Sequence, residues 1–258
     1  MEKNLIQKIK KMPLTVLSTF GHNGLDWVHS LVDNHSQILI MPAFSFFRSL
    51  DRIKLHNKNI KFKEKKTLIL LAKLFSKMFY NDERNKVQRR QFIKNKKDMI
   101  CFEKNLIFWI LNCKIENLEK NLFLGIHYAF VNLYKIDLNK KKIIVHQEHV
   151  PWHSEKYYKI FNSNFIFMMR DPRAAIAGSV LRMQKHNSDQ IYANQFDHVL
   201  LYWKFSEKFT KSADKKLLNK ILILKNEDMH ENLKKEMFKT SRFLDIKFSK
   251  TLLKQTFL

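Results

Sequence analysis

Short apolar runs alternate with helical patterns near both ends of the chain. Near the amino end, apolar runs cover residues 14–20 and 37–41, with apolar residues at helical spacing between them. Towards the carboxyl end the alternation returns, with apolar runs at 142–146, 164–169 and 220–224. Runs of this length between helical segments are typical of strands buried in a parallel sheet. The pattern predicts an α/β fold, a parallel sheet flanked by helices, whose first two strands pair directly as a βαβ unit.

The middle of the chain has a different character. Apolar residues recur there at helical spacing almost throughout, most clearly in residues 68–79, 106–111 and 122–134. No internal repeat and no linker rich in proline, serine or glycine sets this segment apart. We therefore predict a single domain over residues 1–258 with a helical insertion at about 43–137.

The charge of the chain is strongly positive. Lysine and arginine number 48 against 24 aspartate and glutamate residues, which gives a formal net charge of +24. Such a field attracts phosphates, sulfates, nucleic acids or an anionic membrane surface. The aromatic residues lie at core spacing and do not alternate with lysines as a base-stacking platform requires, so no specific nucleic-acid partner is predicted. AT-rich coding produces a similar excess of lysine, so charge alone does not choose among these partners.

Cysteine usage and the amino end bear on the cellular setting. The two cysteines, Cys101 and Cys113, have neither the spacing of metal ligands nor that of a secreted disulfide framework. Residues 1–13 lack the apolar core of a signal peptide, and no apolar run approaches the length of a membrane span. We predict a cytoplasmic protein without a metal site, for which peripheral membrane contact stays open.

Three of the four glycines fall in two stretches, VLSTFGHNGLDW at 16–27 and FIFMMRDPRAAIAGS at 165–179. Each stretch is an apolar run that ends in a turn and continues as a helix. This strand–loop–helix arrangement holds phosphates at helix N-termini in α/β proteins. The loop between Gly21 and Gly24 is therefore a candidate anion cradle. It lacks the Gly-Lys-Ser/Thr of a Walker A loop, and an ordinary βα turn has the same pattern.

Arg170 follows the apolar run of the second stretch. The carboxyl end of a strand is where open α/β sheets bind ligands, and the guanidinium fork suits a phosphate. Arg173 either binds the same anion or pairs with Asp171.

Together these stretches resemble the PAPS-dependent sulfotransferases. That family has a P-loop-like α/β fold and transfers a sulfuryl group from 3′-phosphoadenosine-5′-phosphosulfate (PAPS). Its first loop, of the type Lys/Arg-Ser-Gly-Thr/Ser-Thr-Trp, corresponds to HNGLDW at 22–27. The glycine and tryptophan match, whereas histidine replaces the usual basic residue and an aspartate brings negative charge. The resemblance implies that the 5′-phosphosulfate is bound by Gly21, His22, Asn23, Gly24, Leu25, Asp26 and Trp27.

The second stretch matches the family pattern of an apolar strand, Arg-Asp/Asn-Pro-Arg and a helix with a serine. This match implies that Arg170 and Ser179 bind the 3′-phosphate. The usual serine position, eight residues after the arginine, is Gly178 here. A third segment, LKNEDM at 224–229, resembles the family's YEDL segment with Asn226 in place of tyrosine.

Many family members carry a His-x-Pro whose histidine is the general base. His149-Val150-Pro151 has this pattern, so the resemblance implies that His149 takes the acceptor's proton. A histidine suits this task because its pKa lies near the operating pH. His146 and His153 are rivals, because a turn at a strand end can present either.

The resemblance implies in-line transfer of the sulfuryl group from PAPS to a hydroxyl or amine acceptor without a metal. His149 would act as base, and His22, if protonated, would stabilise the leaving phosphate. Bacterial members often act on carbohydrates or glycolipids, so we expect a carbohydrate or lipid-linked acceptor, with residues 43–47 lining its entrance. Two alternatives stay open: a non-catalytic relative that has lost the donor, and a basic nucleic-acid-binding protein.

Overall fold

A computed structural model gives the three-dimensional structure of the chain. Within the described ranges, only the backbone is described for residues 2, 54, 56, 65, 182–184 and 190–195. The ranges themselves are 2–20, 24–56, 65–80, 92–113, 115–184, 190–212 and 214–256.

A five-stranded parallel sheet is the centre of the fold, with the strand order β2-β3-β1-β4-β5. Strands β1 and β4 are fully or almost fully buried because helices cover the sheet. The predicted α/β class with a parallel sheet is confirmed. The strands are β1 (Leu14–Thr19), β2 (Ile38–Ile40), β3 (Ile143–Gln147), β4 (Asn164–Met169) and β5 (Ile221–Lys225).

The predicted direct pairing of the first two strands is wrong. β3 lies between β1 and β2 in the sheet. β1 pairs with β3 and β4, so that Val16 stands opposite His146 on one side and Phe165 on the other. The helix between β1 and β2 constrains the handedness of their connection but not their adjacency. Segments more than a hundred residues away along the chain therefore decide the strand order.

The chain divides into two compact units. Met1–Pro13 together with Leu39–Lys142 form one unit, and Leu14–Ile38 together with Ile143–Phe257 form the other. The organisation as one domain with an insertion stays a prediction. In the first unit the helices are α1 (Glu2–Lys11), α3 (Phe46–His56), α4 (Lys65–Phe79), α5 (Lys96–Asn112) and α6 (Leu118–Leu133).

Aromatic side chains form the core of this helical unit. The ring of Phe46 contacts those of Phe47, Phe75 and Phe123 at centroid distances of 5.1, 5.9 and 5.2 Å. Phe44 is buried as well. The phenylalanines of residues 43–47 are therefore used for packing, and a place of this segment at an acceptor entrance stays a prediction.

The second unit carries most of the sheet. The Phe20 ring, just after β1, contacts Trp203 with a centroid distance of 5.0 Å and so joins the sheet to α9. Within the described residues, no helix has the length and hydropathy that crossing a membrane requires. The helices of this unit are α2 (Leu25–Val32), α7 (Ser154–Phe161), α8 (Pro172–Gln184), α9 (Gln190–Lys211), α10 (Lys215–Leu218), α11 (Asn226–Glu231) and α12 (Leu233–Phe243).

Candidate functional site

The loop after β1 depends on a glycine at its end. Gly24 has a φ of +89° and is the N-cap residue of α2. A Cβ atom there would lie 2.8 Å from the Asn226 Nδ2 atom, so both the conformation and the space require glycine. The predicted loop residues Gly21, His22 and Asn23 lie outside the described residues.

The first turn of α2 contains the remaining predicted loop residues. Leu25 is buried, so its side chain belongs to the core and only its backbone N–H is suited to a ligand. Asp26 is exposed, and the half-buried Trp27 ring lies against the His230 ring with a centroid distance of 4.7 Å. The start of this helix, with its unsatisfied N–H groups and positive dipole end, favours an anion.

In the second loop, Arg170 and Arg173 differ in their interactions. Asp171 Oδ2 lies 2.6 Å from Arg173 Nη2, and Asp171 Oδ1 accepts a hydrogen bond from the Arg173 backbone N–H at 2.8 Å. The side-chain hydrogen bond from Arg173 is the main cause that lowers the pKa of Asp171 to about 2. Arg173 thus pairs with Asp171, which is one of the two roles that the sequence left open. Arg170 is half-buried and makes no hydrogen bond or ion pair with any residue in the described ranges.

Arg170 faces Gly178 across the first turns of α8. Its Nη1 atom lies 3.6 Å from the position that a Cβ atom on Gly178 would occupy. Ser179 is only 2% exposed. Consecutive helix residues point about 100° apart, so a residue next to Gly178 has a different direction. The structure brings Gly178 to the guanidinium, while a phosphate-binding role for Ser179 stays a prediction.

Three histidines compete for the role of base, and they differ in burial. His146 and His153 are each 2% exposed. The His146 ring packs against Tyr157, and His153 Nδ1 lies 3.6 Å from Glu148 Oε2. His149 is half-buried. Of the three, His149 is the residue that is partly accessible to solvent.

A glutamine joins the first loop to His149. The Gln147 Nε2 atom lies 2.8 Å from Asp26 Oδ1 and 3.0 Å from His149 Nε2. The sequence reasoning missed Gln147, because it ended the strand at His146. The signal was the alternation of the strand, since Gln147 continues the face of Ile143 and Val145 to the carboxyl end of β3.

The turn that carries His149 is fixed by a buried carboxylate. Glu148 is fully buried, and its oxygens accept hydrogen bonds from the Val150 backbone N–H at 3.1 Å and the Tyr157 hydroxyl at 3.2 Å. The Glu148 backbone N–H donates to the Leu17 carbonyl at 2.9 Å. A buried charged group is stable only with such partners, so the backbone on both sides of His149 is held in place.

The segment after β5 reaches both candidate loops. Asn226 lies against Gly24, as described above, and Glu227 Oε1 accepts a hydrogen bond from the Asp171 backbone N–H at 3.0 Å. The predicted third segment, LKNEDM, therefore supports the other two from the adjacent end of β5.

One family model matches most of the chain. A family model described as a sulfotransferase domain matches residues 15–257. No curated protein matches the chain. A solved sulfotransferase domain from the curacin biosynthetic pathway is similar with a TM-score of 0.56 and 14% identity, over 94% of this chain and 77% of that one.

Two further solved structures have the same fold. The sulfotransferase domain from the Synechococcus PCC 7002 olefin synthase has a TM-score of 0.51 and 13% identity, over 93% of this chain and 76% of that one. A sulfotransferase from Mycobacterium tuberculosis H37Rv has a TM-score of 0.52 and 9% identity, over 97% and 73%. At these identities the likeness concerns the fold, and it agrees with the fold that the sequence predicted.

Proposed function

The chain belongs to the sulfotransferase family, and on that premise we propose that it transfers the sulfuryl group of PAPS to a hydroxyl or amine acceptor. The position of Arg170 is the observation that supports PAPS as the donor. Its guanidinium lies near the carboxyl end of β4 and beside the start of α8, without a partner among the described residues. A half-buried arginine in this place suits the 3′-phosphate, which distinguishes PAPS from ATP-like nucleotides.

The position of the two loops supports the binding of one nucleotide by both. β1 and β4 are neighbours in the sheet, and Thr19 stands opposite Met168 at their carboxyl ends. The 5′-phosphosulfate is assigned to the start of α2 at Gly24, and the 3′-phosphate to Arg170. Trp27 offers an aromatic face on which a base can stack. The resemblance adds His22 at the phosphosulfate, and this assignment rests on the sequence alone.

The chemistry assigned to the site is a single in-line displacement. The acceptor oxygen or nitrogen forms a bond to sulfur while the bond from sulfur to the bridging phosphate oxygen breaks, and adenosine 3′,5′-bisphosphate leaves. His149 takes the acceptor's proton as general base. The N–H groups at the start of α2 stabilise the charge that develops on the leaving phosphate.

The acceptor class comes from the family resemblance. We assign a carbohydrate or lipid-linked acceptor on the resemblance alone. Peripheral contact with an anionic membrane would agree with the net charge of +24. The free thiols of Cys101 and Cys113 agree with a cytoplasmic location.

A transfer assay tests this function. PAPS labelled with ³⁵S is incubated with sugars, glycolipids and amines, and the labelled product is separated from the donor. We expect transfer to at least one acceptor class, and His149→Ala should lower kcat by roughly 10²–10⁴-fold with donor affinity almost unchanged. The absence of both transfer and nucleotide binding would support the non-catalytic alternative, a relative that has lost the donor. Steeply salt-dependent binding of DNA or RNA, without affinity for the nucleotide, would support the other.

A further inference from the structure

We propose that Gln147 is a positioning residue for His149: its carboxamide, oriented by Asp26, keeps the Nε2 atom of His149 unprotonated and ready to accept the acceptor's proton. This inference rests on the proposed function, because it assigns the state of the base in that reaction. Neither Gln147 nor the link to Asp26 follows from the family resemblance.

Three side chains form one hydrogen-bonded chain. Gln147 Nε2 is 2.8 Å from the Asp26 carboxylate and 3.0 Å from the His149 imidazole. A carboxamide nitrogen carries two hydrogens and accepts none, so it can donate one to each neighbour. Gln147 is only 1% exposed, which holds the amide between the two groups.

The carboxylate decides which way the amide points. If the amide were turned over, its oxygen would lie 2.8 Å from the Asp26 oxygen, and two acceptors would face each other. Burial does not favour that alternative, because Gln147 Oε1 is already buried without a hydrogen bond in the described part of the chain. One atom of the Gln147 amide lacks a partner in either orientation. The negative charge of Asp26 therefore favours the orientation in which the amide nitrogen faces Asp26.

The orientation of the amide fixes the tautomer of His149. Because Gln147 donates to Nε2, that atom bears a lone pair and the ring proton sits on Nδ1. An isolated neutral imidazole side chain favours the opposite tautomer, with the proton on Nε2. Gln147 thus prepares the nitrogen that acts as base, and the acceptor's O–H or N–H takes the place of the amide as donor to Nε2.

Glu148 and His153, two further titratable groups of this turn, are engaged elsewhere. The Glu148 carboxylate accepts from the Val150 N–H and the Tyr157 hydroxyl, and it lies 3.6 Å from His153. This cluster is buried and holds the backbone of the turn, whereas Gln147 contacts the Nε2 atom of His149 and links it to Asp26. The two groups of residues therefore have separate effects that a substitution can distinguish.

Gln147→Glu is the sharpest test, because it keeps the shape of the side chain and changes a donor into an acceptor. A carboxylate at this position should draw a proton onto His149 Nε2. Asp26→Asn should leave the Gln147 amide free to turn over and give a mixture of tautomers. Gln37→Glu is the matched control, because Gln37 Oε1 accepts from the Lys247 N–H at 2.6 Å and a carboxylate can do the same.

The readout is the ¹⁵N spectrum of histidine in the full chain, with His149 assigned by its loss in His149→Ala. We expect an Nδ1–H tautomer in the wild type and in Gln37→Glu, and a protonated Nε2 in Gln147→Glu. In the transfer assay, Gln147→Glu should lower kcat by roughly 10²-fold, the range of a general base, with the KM for PAPS almost unchanged.

The ¹⁵N spectrum tests whether Gln147 controls the tautomer of His149, and it does so without the transfer reaction. An Nε2–H tautomer in the wild type, or the same His149 signals in Gln147→Glu and the wild type, would overturn the proposal. Equal kcat values for proteins with different His149 tautomers would show that the tautomer does not affect catalysis and would overturn that part of the proposal. A wild-type protein that transfers no sulfuryl group would contradict the proposed function, while the tautomer would still report whether Gln147 controls His149.

Discussion

The Nη1 atom of Arg170 lies 3.6 Å from the point that a Cβ atom on Gly178 would occupy. The missing side chain leaves room next to a guanidinium that has no partner among the described residues. The resemblance places the usual phosphate-binding serine at position 178, whereas the predicted 3′-phosphate site uses Ser179 with Arg170. The neighbouring Ser179 side chain is buried.

A hydroxyl at position 178 should therefore strengthen nucleotide binding. Gly178→Ser places Oγ beside the guanidinium, and one added hydrogen bond of about 0.5–1.5 kcal/mol corresponds to a roughly 2- to 12-fold lower Kd for adenosine 3′,5′-bisphosphate. Calorimetric titration measures the change. Ser179→Ala is the comparison, and we expect it to change the melting temperature more than the Kd. A stronger effect of Ser179→Ala on affinity would return the phosphate-binding role to that residue.

Two glycines should respond in opposite ways to the same substitution. Gly24→Ala forces a residue with a side chain into a left-handed conformation and against Asn226, which should cost about 1–2 kcal/mol or more of unfolding free energy. Gly178→Ala meets only ordinary contact with Arg170 and should stabilise α8 by up to about 1 kcal/mol. Thermal unfolding of the three proteins tests this. Equal melting temperatures for the two variants would contradict the assigned loop geometry.

The buried His127 should make the unfolding free energy depend on pH. Desolvation by burial lowers its pKa from 6.5 to about 4, against the opposing effect of its hydrogen bond with the Phe123 carbonyl. Between these values the unfolded chain binds a proton that the folded chain does not, so stability falls as the pH falls from about 6.5 to about 4. The loss is about 1.4 kcal/mol per pH unit, on the order of 3 kcal/mol in total.

Denaturant unfolding of the wild type and His127→Leu at several pH values checks this expectation. Carboxylates titrate in the same range, so the difference between the two proteins is the relevant quantity. That difference should change steadily between pH 6.5 and 4 and be constant above 7. Parallel curves over the whole range would show that His127 is not the group responsible.

Local signals predicted the elements around the site closely. The predicted strand at 164–169 has the bounds of β4, and the predicted runs at 142–146 and 220–224 lie within one residue of β3 and β5. These segments are set by continuous apolar runs, which are a property of neighbouring residues.

Features that depend on distant residues were not predictable in the same way. The insertion of β3 between β1 and β2 is decided by the packing of whole strands. The partnership of Asp26, Gln147 and His149 joins residues more than a hundred positions apart. The choice between the two roles of Arg173 also required the three-dimensional structure, because an arginine beside an aspartate in sequence can either pair with it or bind a ligand.

Arg170 is assigned to the nucleotide, and Arg173 provides a matched control on the same loop. Arg170 has no partner in the described part of the chain, whereas Arg173 is paired with Asp171 and mostly exposed. Removal of a charge-assisted hydrogen bond costs about 1.5–3 kcal/mol, or roughly 10- to 150-fold in Kd. Arg173→Ala should have little effect, because surface ion pairs contribute little.

The most direct measurement is isothermal titration calorimetry of adenosine 3′,5′-bisphosphate and AMP into the wild type, Arg170→Ala and Arg173→Ala. We predict that the bisphosphate binds the wild type and Arg173→Ala with similar affinity, binds Arg170→Ala roughly 10- to 150-fold more weakly, and binds the wild type much more tightly than AMP does. Equal affinity of the bisphosphate for the wild type and Arg170→Ala, or of the two nucleotides for the wild type, would contradict the assignment of Arg170 to the 3′-phosphate.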